Sequence, residues 1–284
     1  MIVIALVLAW LGLCAGSFVN ALVWRLHEQQ AGKTANGKQK KATSNLSILK
    51  GRSMCPDCKH TLAWYDLIPL FSWLALGRKC RYCKKTISVQ YPLVELIAGL
   101  VFAGSYLLWP LSVHIDGQWL LLSMWLAAAV GLLALAVYDL RWMLLPNRII
   151  YPTLFVAATG RAGYIVFFDN RPLRAVGLWM ASILVASGVF YLLYMASQGK
   201  WIGFGDVRLG LITGTLLAKP QYSLLMIFIA SVLGSLVAMP DLIRRKKTLA
   251  SRLPYGPFLI AATLIVMLWG ESLLNHYKTW MGIN

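Results

Sequence analysis

WLLLSMWLAAAVGLLALAVY, residues 119–138, is an uncharged run that Asp139 follows directly. At 1.5 Å rise per residue it makes a helix of about 30 Å, the thickness of a bilayer's hydrocarbon core. Similar apolar runs recur at about 2–24, 92–109, 149–168, 175–197, 207–219, 222–243 and 254–270. The chain therefore reads as an all-α polytopic membrane protein of about eight transmembrane helices. The runs at 207–219 and 254–270 fall short of the usual ~20 residues, which suits tilted, partly re-entrant or neighbour-enclosed segments. Composition agrees: 59% of residues are hydrophobic and 13% charged, against about 25% charged in soluble domains.

Charge fixes the expected orientation. No basic residue precedes the first run, and Arg25 follows it. The run reads as an anchor rather than a cleavable signal peptide, with the N-terminus outside and residue 25 in the cytoplasm. Threading the remaining runs from there puts 22 of the 27 Lys and Arg residues in the cytoplasmic segments 25–91, 139–148, 198–208 and 244–253. Arg171, Arg174, Lys219 and Lys278 fall outside, and Arg161 lies inside a span. Topology thus accounts for the net charge of +17. No nucleic-acid reader motif accompanies it, so the expected surroundings are a lipid bilayer and not a nucleic acid.

Three regions follow: a first transmembrane helix at 1–24, a cytoplasmic loop at 25–91 and a membrane bundle at 92–284. In the loop, residues 28–50 are basic, polar and poor in aromatics, a composition expected to stay flexible. Residues 52–91 hold Cys55-Pro-Asp-Cys58 and Cys80-Arg-Tyr-Cys83 among several aromatics. In a reducing compartment two Cys-x-x-Cys pairs point to metal rather than disulfides. Four thiolates close tetrahedrally on zinc at ~2.3 Å and leave no open position, so the metal reads as structural. So small a module has little core, and the metal supplies the missing folding energy. A redox dithiol pair, or His60 replacing one ligand, is the alternative. Cys14 in the first run reads as packing. No internal repeat is evident.

Only ten acidic residues occur in 284, and a carboxylate at the bilayer centre costs roughly 2.5–3.5 kcal/mol. Two stand out. Asp139 ends the third run, and Asp206 closes Gly203-Phe-Gly205-Asp206 between the fifth and sixth. The topology places both on the cytoplasmic face. Brought together in a low-dielectric pocket, two carboxyls cannot both ionise readily and share a proton. The ionised one takes a proton from water while the other polarises a scissile carbonyl. The bland alternative is that each caps a helix or pairs with an arginine. Asp57 and Asp66 lie in the metal loop, and Glu95 opens the second span, either as a charge at a helix N-terminus or as a ligand contact. The chain has no His-Glu-x-x-His, Gly-x-Ser-x-Gly or Walker loop.

Taken in order, several segments form a recognisable ensemble: Gly16-Ser-Phe-Val-Asn20 through Arg25-Leu26, the two cysteine pairs, Trp64-Tyr65-Asp66-Leu-Ile-Pro69, Tyr91-Pro92-Leu-Val-Glu95-Leu96, Asp139 with Leu145-Pro146-Asn147, Gly203-x-Gly205-Asp206 and Pro254-Tyr-Gly256-Pro257-Phe258. This ensemble resembles the prepilin peptidases, the bifunctional type IV prepilin leader peptidase/N-methyltransferases. The resemblance implies an inner-membrane Gly-x-Gly-Asp aspartic peptidase with Asp139 and Asp206 as its pair. Such enzymes cut prepilins or pseudopilins after a glycine at the cytoplasmic face. They then methylate the new N-terminal amine with S-adenosylmethionine, for which this sequence marks no binding residues. His27, Arg208 and Tyr255 depart from the family's usual proline, lysine and phenylalanine. Two other readings remain at this point: a transporter relaying protons through intramembrane acids, and a zinc-bearing membrane adaptor without catalysis.

Overall fold

A computed structural model describes residues 1–34, 51, 53–110, 116–243 and 253–282. Nine helices appear among them: α1 (Ile2–Thr34), α2 (Phe71–Ala75), α3 (Gln90–Leu107), α4 (Gln118–Trp142), α5 (Asn147–Phe168), α6 (Pro172–Ser197), α7 (Phe204–Leu217), α8 (Pro220–Ile243) and α9 (Gly256–Trp280). A 3-10 turn spans Trp64–Leu67, and no strand occurs among the described residues. Seven of the helices, all but α2 and α7, are long and apolar enough to cross a membrane. The all-helical, multi-pass reading therefore stands. The chain divides into two compact units, Met1–Leu107 and Leu108–Asn284.

Three boundaries differ from expectation. α1 runs ten residues past 24, because Arg25-Leu-His-Glu-Gln-Gln-Ala is made largely of good helix formers. Residues 28–34 of the segment expected to be flexible are therefore helical, and 35–50 lie outside the described residues. α3, assigned by sequence to the bundle, belongs instead to the first unit with α1. α9 continues to Trp280 rather than stopping near 270, since the lone Glu271 does not interrupt a helix. α7 has 14 residues, about 21 Å, as its short apolar run implies.

Small residues explain how both units pack. In the first unit, Gly12 and Gly16 sit against α3: a Cβ on Gly12 would lie 2.5 Å from the Ala98 carbonyl oxygen, and one on Gly16 would lie 2.6 Å from Glu95 Cα. In the second, Gly210 and Gly214 of α7 press on α6, where a Cβ would come within 2.8 Å of the Ala186 carbonyl oxygen and of Ile183 Cα. Both pairs have Gly-x-x-x-Gly spacing, which lets helix backbones approach where lipid tails offer no hydrophobic drive. Serines add bonds between helices: Ser182 Oγ donates to the Gly214 carbonyl at 2.9 Å and Ser187 Oγ to the Val207 carbonyl at 2.9 Å. Most large apolar residues of α6, Phe190 excepted, face outward instead, with Leu173 90% and Leu184 71% exposed. That inside-out distribution suits a helix whose solvent is lipid.

Candidate functional site

Each unit gathers one set of candidate residues. In the first unit, Cys55, Cys58, Cys80 and Cys83 converge until their sulfurs all lie within 4.8 Å of one another. The two cysteine pairs are built alike, 25 residues apart. Cys55 N–H donates to the His60 carbonyl at 3.0 Å, and Cys80 N–H to that of Lys85 at 2.8 Å. Lys59 and Lys84 both take positive φ, 58° and 59°, and each N–H returns to the carbonyl of the first cysteine at 3.0 Å. Met54 bridges Thr61 just as Lys79 bridges Thr86. This short structural repeat went unrecognised in the sequence, where only Cys-x-x-Cys-Lys and a following threonine betray it.

Salt bridges join the two knuckles and the turn between them. Lys85 Nζ meets Asp57 at 2.8 Å, and Arg81 Nε meets Asp66 at 2.8 Å. Asp66 also accepts bonds from the Ala63 N–H and the Tyr82 hydroxyl. Asp57 and Asp66 are thus committed to holding the module. Tetrahedral thiolates at ~2.3 Å from zinc lie about 3.8 Å apart, and Cys55 and Cys83 sulfurs stand 3.9 Å apart. Burial pushes the Cys55 thiol up to about 12. Burial also raises Cys80, but the Cys83 and Tyr82 backbone N–H groups and the neighbouring thiols outweigh it and bring that thiol to about 7. The donor set thus fits a thiophilic divalent cation.

Glu95 is not at a helix N-terminus. It lies beyond the first turn of α3 and is buried. Its Oε2 accepts the Leu70 N–H at 2.9 Å, where Leu70 takes a φ of 61°. The carboxylate therefore ties the cysteine module's chain to α3, a role that no sequence signal identified. Asn20 on α1 does similar work, its Nδ2 donating to the Tyr91 carbonyl at 3.0 Å.

In the second unit, Asp139 and Asp206 come within each other's electrostatic reach. Asp139 occupies the last turn of α4, which ends when Met143 turns left-handed with φ 52° and donates to the Asp139 carbonyl at 2.8 Å. A carboxylate there opposes the helix dipole, so stability is not the reason for its position. It is 5% exposed. Its Oδ2 accepts the N–H of Gly256, the first residue of α9, at 3.1 Å. A Cβ on Gly256 would fall 2.7 Å from that oxygen, so this position has room only for glycine.

Asp206 is half-buried in the first turn of α7, and the Gly203 backbone offers its carboxyl a hydrogen bond. The expected capping role and the meeting with Asp139 therefore coexist. The chain leaving α4 holds the two ends together. Leu145 fills the space beside Gly205, where a Cβ would lie 3.0 Å from Leu145 Cδ1. Arg208 donates to the Asn147 side-chain carbonyl. Tyr255 stands on the same side, its ring 5.8 Å from that of Phe190. Burial pushes its phenol up, Ser231 opposes that, and the Asp206 charge adds to it. Two helix N-termini, those of α7 and α9, thus point at one pair of carboxyls, a preorganised positive environment for negative charge.

Comparison with known proteins follows the same two units. The model of the bacterial peptidase A24 N-terminal domain matches residues 10–109, and that of the type IV leader peptidase family matches residues 120–239. The prepilin leader peptidase/N-methyltransferase of Stutzerimonas stutzeri is 30% identical, over 94% of this chain and 91% of that protein. Its counterpart from Pseudomonas aeruginosa is 31% identical, over 96% and 92%. The type 4 prepilin-like proteins leader peptide-processing enzyme of Escherichia coli is 34% identical, over 68% and 74%. No solved structure matches. Identity at this level along nearly the whole length of such relatives, with both family domains in order, makes this chain a member of the prepilin leader peptidase/N-methyltransferase family.

Proposed function

We propose that the protein is a membrane-embedded aspartic endopeptidase that removes the leader of type IV prepilins or pseudopilins and then N-methylates the new N-terminal residue. The observation that carries the peptidase reading is the convergence of Asp139 and Asp206 at one end of the second unit. Its relatives bear the name prepilin leader peptidase/N-methyltransferase, which supplies the substrate class. One proton shared by the pair lets one carboxylate take a proton from water while the other donates to the scissile carbonyl oxygen. Water oxygen bonds to the carbonyl carbon, the C–N bond breaks, and the departing amine leaves with the proton. Gly256 N–H and the α7 N-terminus hold the two carboxyls in place for this. By the charge map, the site faces the cytoplasmic side of the inner membrane, where a prepilin's basic leader lies.

The four cysteines hold structural zinc that folds the first unit's module. For methylation, S-adenosylmethionine supplies a methyl group to the new amine. The module shows outward-facing aromatic side chains, Trp64 at 77% and Phe71 at 66% exposure. Together with Tyr65, these faces fit an adenine ring and a sulfonium cation.

The transporter reading loses ground, because both aspartates sit at helix ends rather than at mid-helix. Incubating the purified protein with a prepilin and S-adenosylmethionine, then weighing the products, tests the proposal. Loss of the leader mass and gain of one methyl are expected; an unchanged prepilin mass would refute the peptidase, and cleavage without methyl gain would refute the transferase.

A further inference from the structure

The charge map leaves five bases off its cytoplasmic side, and four of them, Arg161, Arg171, Arg174 and Lys219, line one cavity of about 530 Å³ in the second unit. The cavity lies at the end of the bundle away from the aspartates. It includes Gln118, the first residue of α4, and Lys219, just past α7. The rise along α4 from Gln118 to Asp139 is about 31 Å.

Its chemistry is that of an anion site. Among the described residues only Asp169 and Glu271 oppose the four bases in the lining, and Asp169 Oδ1 is already bonded by the Arg171 backbone N–H at 2.8 Å. Arg161 lies within α5 and has one clear structural task, donating through Nη2 to the Leu216 carbonyl at 2.7 Å in the last turn of α7. Its Nε is shut away from solvent and has no partner among the described residues. An unmade bond on a buried guanidinium is costly. Arg161 also lines the cavity, so its positive charge is held at the cavity wall, where an anion offsets it.

The setting is that of a lipid surface. Tyr164 and Tyr222 line the cavity, with Lys219 Nζ 4.9 Å from the Tyr222 ring centre. Aromatic rings beside bases are typical of the headgroup level of a bilayer. Beside them Phe167 (77% exposed) and Leu173 (90% exposed) face outward, on helices long and apolar enough to span a membrane.

We propose that this cavity binds the phosphate headgroup of an anionic phospholipid from the surrounding leaflet. Arg161 lies at its floor, the other three bases surround the headgroup, and the acyl chains run over the outward-facing apolar side chains. This apolar setting favours a lipid over free phosphate. The site does not depend on the peptidase reading.

Titration of the full-length protein in neutral detergent, followed by tryptophan-fluorescence melting, tests it. Phosphatidylglycerol, phosphatidylcholine and inorganic phosphate are the three probes. Phosphatidylglycerol alone should raise the melting temperature saturably. The half-saturating concentration should rise about fivefold for Arg174→Gln and again for Lys219→Gln. Both positions are exposed, so these variants avoid the folding role of Arg161. Lys278→Gln, a base on the same side but outside the cavity lining, should leave the titration unchanged. Equal shifts from both lipids, a shift from phosphate alone, or equal weakening by Lys278→Gln would overturn the proposal.

Discussion

The cysteine module and the aspartate pair are assembled by different means. Each cysteine knuckle closes through backbone bonds spanning four or five residues, and two short salt bridges join the pieces. Asp139 and Asp206 are 67 positions apart in sequence. They come within electrostatic reach only because the C-terminus of α4 and the N-termini of α7 and α9 gather at the same place. The first site depends on local chain geometry and, in the proposed reading, on metal, whereas the second depends on helix packing throughout its unit. A substitution should therefore act on one and spare the other.

The largest expected effect is on the pair itself. Asp139→Asn and Asp206→Asn should each slow leader cleavage by at least about 10³-fold, within the range for losing a positioned acid–base group. Thermal melting of Asp139→Asn should be unchanged or higher, since the carboxylate opposes its helix dipole. A comparable fall in melting temperature would make Asp139 a structural group instead.

Next comes Gly256→Ala. Its Cβ would sit 2.7 Å from Asp139 Oδ2, so the carboxyl must move, and a displacement near 1 Å costs about 10²-fold. Measured kcat/KM for cleavage should fall on that scale, with bound zinc unaffected. Normal cleavage would show that the start of α9 does not position Asp139.

Cys55→Ser sharpens the comparison from the other side. Zinc per chain, read by elemental mass spectrometry, should fall from one toward zero, and methylation should suffer more than cleavage. Acidification of the unsubstituted protein should also release the metal. Zinc needs thiolates, and protons compete for all four as pH falls. Zinc retained equally in acid and alkali would contradict a thiolate site.

The smallest effects concern packing. Gly210→Ala should cost about 1–3 kcal/mol in detergent unfolding because the added methyl meets backbone. Gly188→Ala on α6 has open space around it and should be neutral or stabilising by up to about 1 kcal/mol. Equal outcomes for the two would mean that α6 and α7 do not pack through Gly210.

Much of this architecture was legible in the sequence, since apolar runs mark membrane helices by length alone and Cys-x-x-Cys pairs mark their own neighbours. The charge map also set the expectation that Asp139 and Asp206 share a membrane face. What it missed depends on contacts between distant residues. Gly256 touches Asp139 across 117 positions, a contact that no local spacing in the sequence encodes. The helical start of the 28–50 segment was hidden by polar composition. The glycine pairs at 12 and 16 and at 210 and 214 were visible as spacing, but only the facing carbonyls and Cα atoms show what they are for.

The most direct test of the central claim compares leader cleavage by Asp139→Asn, Asp206→Asn and the double variant, each folded and zinc-loaded. Two carboxyls acting as one unit predict that the double variant is no slower than either single one. If the two losses multiply, or if one single variant cleaves at the normal rate, the aspartates do not work as a pair.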